Sequence, residues 1–186
     1  SSAAFFIVGA LIIPKSNITL KNIALNKTRI AFIDVLKKMG GKIKIKKTKT
    51  LSGEDVGEIN VIHSLLKGIK ISSTSSPYLI DEYPILSVAA SQAKGLTTMK
   101  GLSELRHKES DRIKSIISNL SKIGFHAISK KDDIIIKGSK KISITNRVKI
   151  KTYGDHRIAM SFSILSLLYG NKLIIDDESC ISISYP

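Results

Sequence analysis

The run Ser110-Asp111-Arg112-Ile113-Lys114-Ser115-Ile116-Ile117-Ser118-Asn119-Leu120-Ser121-Lys122-Ile123-Gly124 sets Ile113, Ile116, Ile117, Leu120 and Ile123 at helical spacing and then stops on a glycine. This spacing predicts a helix over 110–123. After it come His126-Ala127-Ile128-Ser129, a turn at Lys131-Asp132-Asp133, and Ile134-Ile135-Ile136-Lys137, which reads as two strands joined by a tight connection. Before it, the apolar stretch Leu79 to Ala93 reads as a helix and Gly95 to Leu102 as a short β-rich run. The order helix, strand, helix, strand, strand is an α/β module.

The same order appears towards the N-terminus. Ser1 to Ile13 is an apolar helical stretch, Asn17 to Ile23 a short strand, and Arg29 to Met39 a helix with Ile30, Ile33, Val35 and Leu36 on a broad face before Gly40-Gly41. Two period-2 runs follow, Lys42 to Lys47 and Glu58 to His63. A third copy begins with Asp155 to Tyr169 and Lys172 to Asp176 and breaks off before its second helix. The units recur at about 75 to 80 residues, longer than most solenoid repeats. The chain starts without Met inside a helical pattern and stops at Tyr185-Pro186 after a strand-like run, so a piece of a larger protein is expected.

Composition narrows the classes. A length of 186 residues with 42% hydrophobic content can build one sizeable core, and residues 1–186 are taken as one domain. Thirty Lys and Arg against fifteen Asp and Glu leave a net charge of +15, which points to anionic partners. Strands such as Lys42 to Lys47 alternate Lys with Ile and lack the interleaved aromatics of a base-stacking surface. Most of the charge is therefore assigned to solvated sheet faces, and no nucleic-acid partner is expected. Cys180 alone makes neither an intramolecular disulfide nor a thiolate metal site, which fits a reducing compartment. Ala3 to Ile13 is too short to span a bilayer and lacks the basic flank and cleavage site of a signal peptide. A cytoplasmic protein with no membrane partner is expected.

Three places depart from solvated Lys and buried Ile. In Leu79-Ile80-Asp81-Glu82-Tyr83-Pro84, two carboxylates precede an apolar helix; they are either caps complementing the helix dipole or an acceptor for a substrate hydroxyl. Leu105-Arg106-His107-Lys108-Glu109-Ser110-Asp111-Arg112 holds Lys108, Glu109 and Arg112 within one turn, where they can converge to clamp a phosphate and deliver a proton. Ser110 and Asp111 are equally readable as helix caps. Tyr153-Gly154-Asp155-His156-Arg157-Ile158-Ala159-Met160-Ser161 delivers Asp-His-Arg from a glycine turn to a helix start, a place that attracts anions, although a structural role for these residues is as plain.

These three strings, in this order and spacing, resemble signature stretches of the EPSP synthases, the 3-phosphoshikimate 1-carboxyvinyltransferases of aromatic amino acid biosynthesis. Ser1-Ser2-Ala3-Ala4-Phe5-Phe6 and Gly53-Glu54-Asp55-Val56 resemble further stretches, so the similarity covers essentially the whole chain. The resemblance implies a fold of two domains, each of three inverse α/β units, facing each other across a cleft. This chain would be most of one domain, with the other domain and a final helix absent. It further implies enolpyruvyl transfer from phosphoenolpyruvate to shikimate 3-phosphate without a cofactor or metal, with the missing half of the enzyme as partner. By position, Asp81 would contact the shikimate hydroxyls and accept a proton, Glu109 would protonate the methylene carbon, Lys108 would contact shikimate and assist proton transfer, and Arg112 and Arg157 would hold phosphoenolpyruvate.

There are departures. His107 stands where the family has a small aliphatic residue, and the lysine some members carry near a C-terminal strand is absent from Ser179 to Tyr185. Two rivals remain at this stage: a fragment related to UDP-N-acetylglucosamine enolpyruvyl transferase, and a decayed, non-catalytic basic binding module. The expected geometry is sharp. Helices should pack inside with strands outward, Asp81 and Arg157 should meet the Lys108 to Arg112 segment, the two arginines should be well exposed, and the cluster should carry a local excess of +1.

Overall fold

The computed structural model describes residues 2–26 and 31–184. Ala3–Ile12 (α1) and Tyr83–Ser91 (α4) are apolar almost all round, as helices buried on every side must be. Together with His156–Ser166 (α6) they pack against one another at the centre of the molecule. Helices Ala31–Lys38 (α2) and Arg112–Ile123 (α5) are amphipathic and lie outside this trio, burying Phe32, Ile33, Val35 and Leu36 on one and Ile113, Ile116, Leu120 and Ile123 on the other. The expected start of α2 at Arg29 lies outside the described residues, as does Tyr185-Pro186.

Among the described residues the strands form three sheets. In the first, Asn17–Ala24 (β1), Lys42–Leu51 (β2) and Glu54–Ile62 (β3) are ordered β1-β3-β2 and antiparallel. β2 is an edge strand whose lysines face solvent while Ile43 is buried, an arrangement that discourages edge-to-edge pairing. The second sheet is ordered β4-β5-β7-β6, from Lys70–Ile71 (β4), Gly95–Met99 (β5), His126–Lys130 (β6) and Asp133–Gly138 (β7). The third pairs Val148–Ile150 (β8) with Leu173–Ile175 (β9). No doubly wound parallel sheet is present among the described residues, and the helices-inside, strands-outside expectation holds.

The repeat starts one strand earlier than the sequence indicates. β4 runs parallel to β5 across α4, and β8 runs parallel to β9 across α6, so the second and third units each open with a short strand. With two and three residues, these strands carry no readable alternation. The edge backbone beside β8 is satisfied by a buried side chain: the Asn119 amide donates to the Lys151 carbonyl (2.8 Å) and accepts from its N–H (3.0 Å).

Two further expectations are corrected. Leu79 to Ala93 is not one helix: Ser76–Leu79 (α3) ends, a turn intervenes, and α4 starts at Tyr83 with Pro84 in its first turn. Proline has no N–H to give and fixes φ, so it starts the helix and leaves Asp81 and Glu82 in an elbow. The strand-like run at the C-terminus is a helix, Ser179–Ser184 (α7), because the Asp177 carboxylate takes the Ser179 N–H (2.9 Å) and hydroxyl (2.6 Å) and nucleates a turn that outweighs the alternating pattern.

Candidate active site

Each motif sits where regular structure begins. The elbow before α4 carries Asp81. Asp111 caps α5, accepting from the Lys114 N–H at 3.0 Å, so that Arg112 is the first residue of that helix. Asp155 caps α6, accepting from the N–H groups of Arg157 (2.9 Å) and Ile158 (3.3 Å), and this places Arg157 in the first turn. Capping is thus real for Asp111 and Asp155. It fails for Asp81 and Glu82, since α4 has no side-chain cap.

Three segments far apart in sequence meet at Arg112. Its Nε donates to Asp155 Oδ2 (2.8 Å), Nη1 to Asp81 Oδ1 (3.3 Å), and Nη2 to Glu109 Oε2 (2.5 Å) and Asp155 Oδ1 (3.4 Å). Arg157 Nη1 donates to the Asp81 carbonyl (2.8 Å), with Nη2 3.7 Å from Asp81 Oδ2 and Nη1 3.9 Å from Glu82 Oε1. Asp81, Glu109, Arg112 and Arg157 therefore share one locus, as the motif reading requires.

Three details of that reading need correction. The arginine side chains are not well exposed: Arg112 is 1% and Arg157 13% accessible. The half-exposed groups are the carboxylates of Asp81 and Glu109, at 46% and 49%. Lys108 does not join the Glu109–Arg112 pair; its ammonium turns to Glu104 (2.7 Å), one helical turn back and a better-placed acceptor. Finally, the sign of the local charge is reversed. Asp81, Glu82, Glu109 and Asp155 surround two guanidiniums, so the connected cluster is acidic rather than basic by one.

The turn of Lys108 to Glu104 and the addition of Asp155 and Glu82, which are not among the expected site residues, account for the difference. Asp155 is fully buried, pairs with Arg112, caps α6 and accepts from the Ser110 hydroxyl (3.1 Å). Its place in Asp155-His156-Arg157 was the available signal, but a helix-opening Asp explains itself locally and hides a partner 43 residues away. Glu82 is held above the usual carboxylate range chiefly by burial, with Arg157 opposing the shift and the neighbouring Asp81 adding to it.

Chemically, the arrangement is a pair of guanidiniums whose charge is occupied by exchangeable carboxylates. An anion reaching Arg112 or Arg157 would have to displace Asp81 or Glu109, the half-exposed partners, and not the buried Asp155. Such displacement would leave two carboxylates near the bound anion, an arrangement that can combine anion binding with proton transfer.

A model of the family described as EPSP synthase (3-phosphoshikimate 1-carboxyvinyltransferase) matches residues 1–186. The chain belongs to the EPSP synthase family. It is 47% identical over 186 residues to a 3-phosphoshikimate 1-carboxyvinyltransferase of Petrotoga mobilis, covering 100% of this chain and 43% of that protein. A protein of the same name from Endomicrobium trichonymphae is 42% identical over the same span, again with 43% of its length covered. Among solved structures, an EPSP synthase from Acinetobacter baumannii superposes with a TM-score of 0.90 at 36% identity, over 100% of this chain and 43% of that one. The enolpyruvyl transferase NikO from Streptomyces tendae shares the fold, with a TM-score of 0.69 at 12% identity over 99% of this chain and 39% of that one. The fold is thus that of one part of an enolpyruvyl transferase. This chain spans less than half the length of the EPSP synthases it matches, and the family match decides against the UDP-N-acetylglucosamine rival.

Proposed function

We propose that residues 1–186 make up most of one domain of an EPSP synthase and supply one wall of its reaction cleft. The longer protein transfers the enolpyruvyl group of phosphoenolpyruvate to shikimate 3-phosphate. Arg112 and Arg157 hold the phosphoenolpyruvate, two guanidiniums meeting a phosphate and a carboxylate. Asp81 takes the proton of the attacking shikimate hydroxyl, Glu109 protonates the methylene carbon, and Lys108 leaves Glu104 to contact the acceptor. A carbon–oxygen bond forms as the methylene becomes a methyl group. The adduct then loses phosphate and a methyl proton to restore the double bond. No redox step occurs and no cofactor is needed. The setting is the cytoplasm, and the partner is the other half of the same enzyme.

The observation that carries this reading is the meeting of Asp81 and Glu109 on Arg112, with Arg157 bound to the Asp81 carbonyl across 76 positions of sequence. Sequence proximity explains only the Glu109–Arg112 contact.

The test is to titrate the chain, with its arginine side chains observed by NMR, against phosphoenolpyruvate, shikimate 3-phosphate and a generic oligonucleotide at two salt concentrations. Phosphoenolpyruvate is expected to shift the Arg112 and Arg157 signals saturably, and Arg157→Ala to weaken that response. Strong oligonucleotide binding with a steep salt slope, alongside no response to phosphoenolpyruvate, contradicts the reading and favours the basic binding module.

A further inference from the structure

Lys108 and Glu109 lie on irregular chain. Between the end of β5 at Met99 and the start of α5 at Arg112, the only regular piece is a single 3-10 turn over Ser103–His107, after which Lys108 turns extended. Loops do not hold reacting groups to the tolerance catalysis requires unless something outside them does.

Arg106 spans the gap. Its Nε donates to Asp132 Oδ1 (2.8 Å), its Nη1 to Asp111 Oδ2 (3.1 Å) and its Nη2 to the Lys131 carbonyl (2.7 Å). Lys131 and Asp132 form the turn between β6 and β7, where Lys131 takes a positive φ of 54° and so presents its carbonyl at the tip. That turn already receives the Leu102 N–H on the Asp132 carbonyl (2.9 Å) and the Gly101 N–H on Asp133 Oδ1 (2.9 Å). Asp111 uses its other oxygen to cap α5. The bond from Arg106 to Asp111 therefore closes residues 107–110 into a short loop, and the remaining two bonds fasten that loop to the hairpin.

We infer that Arg106 is a positioning residue, which fixes the backbone of Lys108 and Glu109 against the β6–β7 turn and the capped start of α5. The inference rests on the roles proposed above for Lys108 and Glu109. Among the described residues Lys108 is held by Glu104, which is 60% exposed, Glu109 by Arg112, and Ser110 by Asp155 (3.1 Å), and none of these bonds reaches the β6–β7 turn. Three acceptors in three directions suit a planar guanidinium and exceed what a lysine ammonium reproduces. A role as a generic positive charge would be met by lysine; a role as a strap would not.

The test compares Arg106→Lys and Asp132→Asn with the unaltered chain by amide hydrogen exchange and by the Glu109 carboxylate resonance at fixed pH. Arg106→Lys should lower protection of the amides at 107–111 by about tenfold or more and displace the Glu109 resonance, with α1, α4 and α6 unchanged. Asp132→Asn, which leaves the Asp111 bridge in place, should give the same changes in smaller measure. If lysine preserves both signals, the inference is overturned. If both variants lose protection evenly across the core, Arg106 is a general structural residue and the inference is equally overturned. Phosphoenolpyruvate added to the unaltered chain is a separate arm: no response at Arg112 and Arg157 would sink the proposed function while leaving the exchange result to decide Arg106.

Discussion

Arg112 and Asp155 form a pair with 1% and 0% exposure, and such a pair matters most when half of it is removed. Asp155→Asn removes the buried carboxylate of Arg112 while Asp81 and Glu109 still balance its charge, and urea denaturation should show a loss of about 1 to 3 kcal/mol. Glu109→Gln removes a half-exposed partner of the same arginine and should cost less than about 1 kcal/mol in the same assay. Glu82 behaves oppositely. Because its carboxyl is raised above the ordinary 4.5, mainly by burial, the folded chain binds its proton more tightly than the unfolded chain. Stability from this group is complete below pH 4.5 and falls as pH rises through the raised value. Glu82→Gln should therefore increase the urea midpoint at neutral pH and leave it unchanged near pH 4; a loss at neutral pH would show that the Arg157 attraction outweighs burial. At this scale the sequence was legible in identity and not in partnership. Asp81, Glu109, Arg112 and Arg157 stood out as charges in unusual company. That Arg112 is buried, and that Lys108 turns to Glu104, depend on contacts that no local pattern encodes.

Helices and hairpins were the most legible level, since their evidence is repeated along each element. The stripe from Ile113 to Ile123, the stop at Gly124 and the alternation in β6 and β7 all reappear as expected, with Ile117 half-buried at the edge of the stripe. The elements missed were too short to have a period, like β4 and β8, or were decided by one residue, such as Pro84 ending the single-helix reading and Asp177 starting α7. Two glycines illustrate different constraints. Gly124 ends α5 in the left-handed region at φ 108°, with only an ordinary contact awaiting a side chain, so Gly124→Ala should cost about 1 kcal/mol from backbone strain. Gly138 ends β7 against the last turn of α4, where an added Cβ would fall onto the carbonyl oxygens of Ala90 and Ala93. Backbone atoms of Ala90 within a central helix and of Ala93 just after it cannot give way cheaply, so Gly138→Ala should be the more damaging change in a thermal melt.

At the scale of the whole molecule, three helices form a common core and three sheets cover it, while the starts of α4, α5 and α6 bring their charged motifs to one place. Among the described residues no helix is long and apolar enough to cross a membrane. The acidic balance of the cluster explains why one wall is insufficient for the proposed reaction. With Asp81 and Glu109 paired to the guanidiniums, a donor bound at this wall alone stays open to water, and reaction needs an opposite wall that adds cations and excludes water. The most direct measurement is phosphate release from phosphoenolpyruvate and shikimate 3-phosphate, by this chain alone and after mixing with a chain that carries the complementary part of a related EPSP synthase. The account predicts no detectable turnover from the chain alone and release on mixing, falling about 100-fold or more with Glu109→Gln. Turnover by the chain alone, or a mixed activity indifferent to Glu109→Gln, would contradict it.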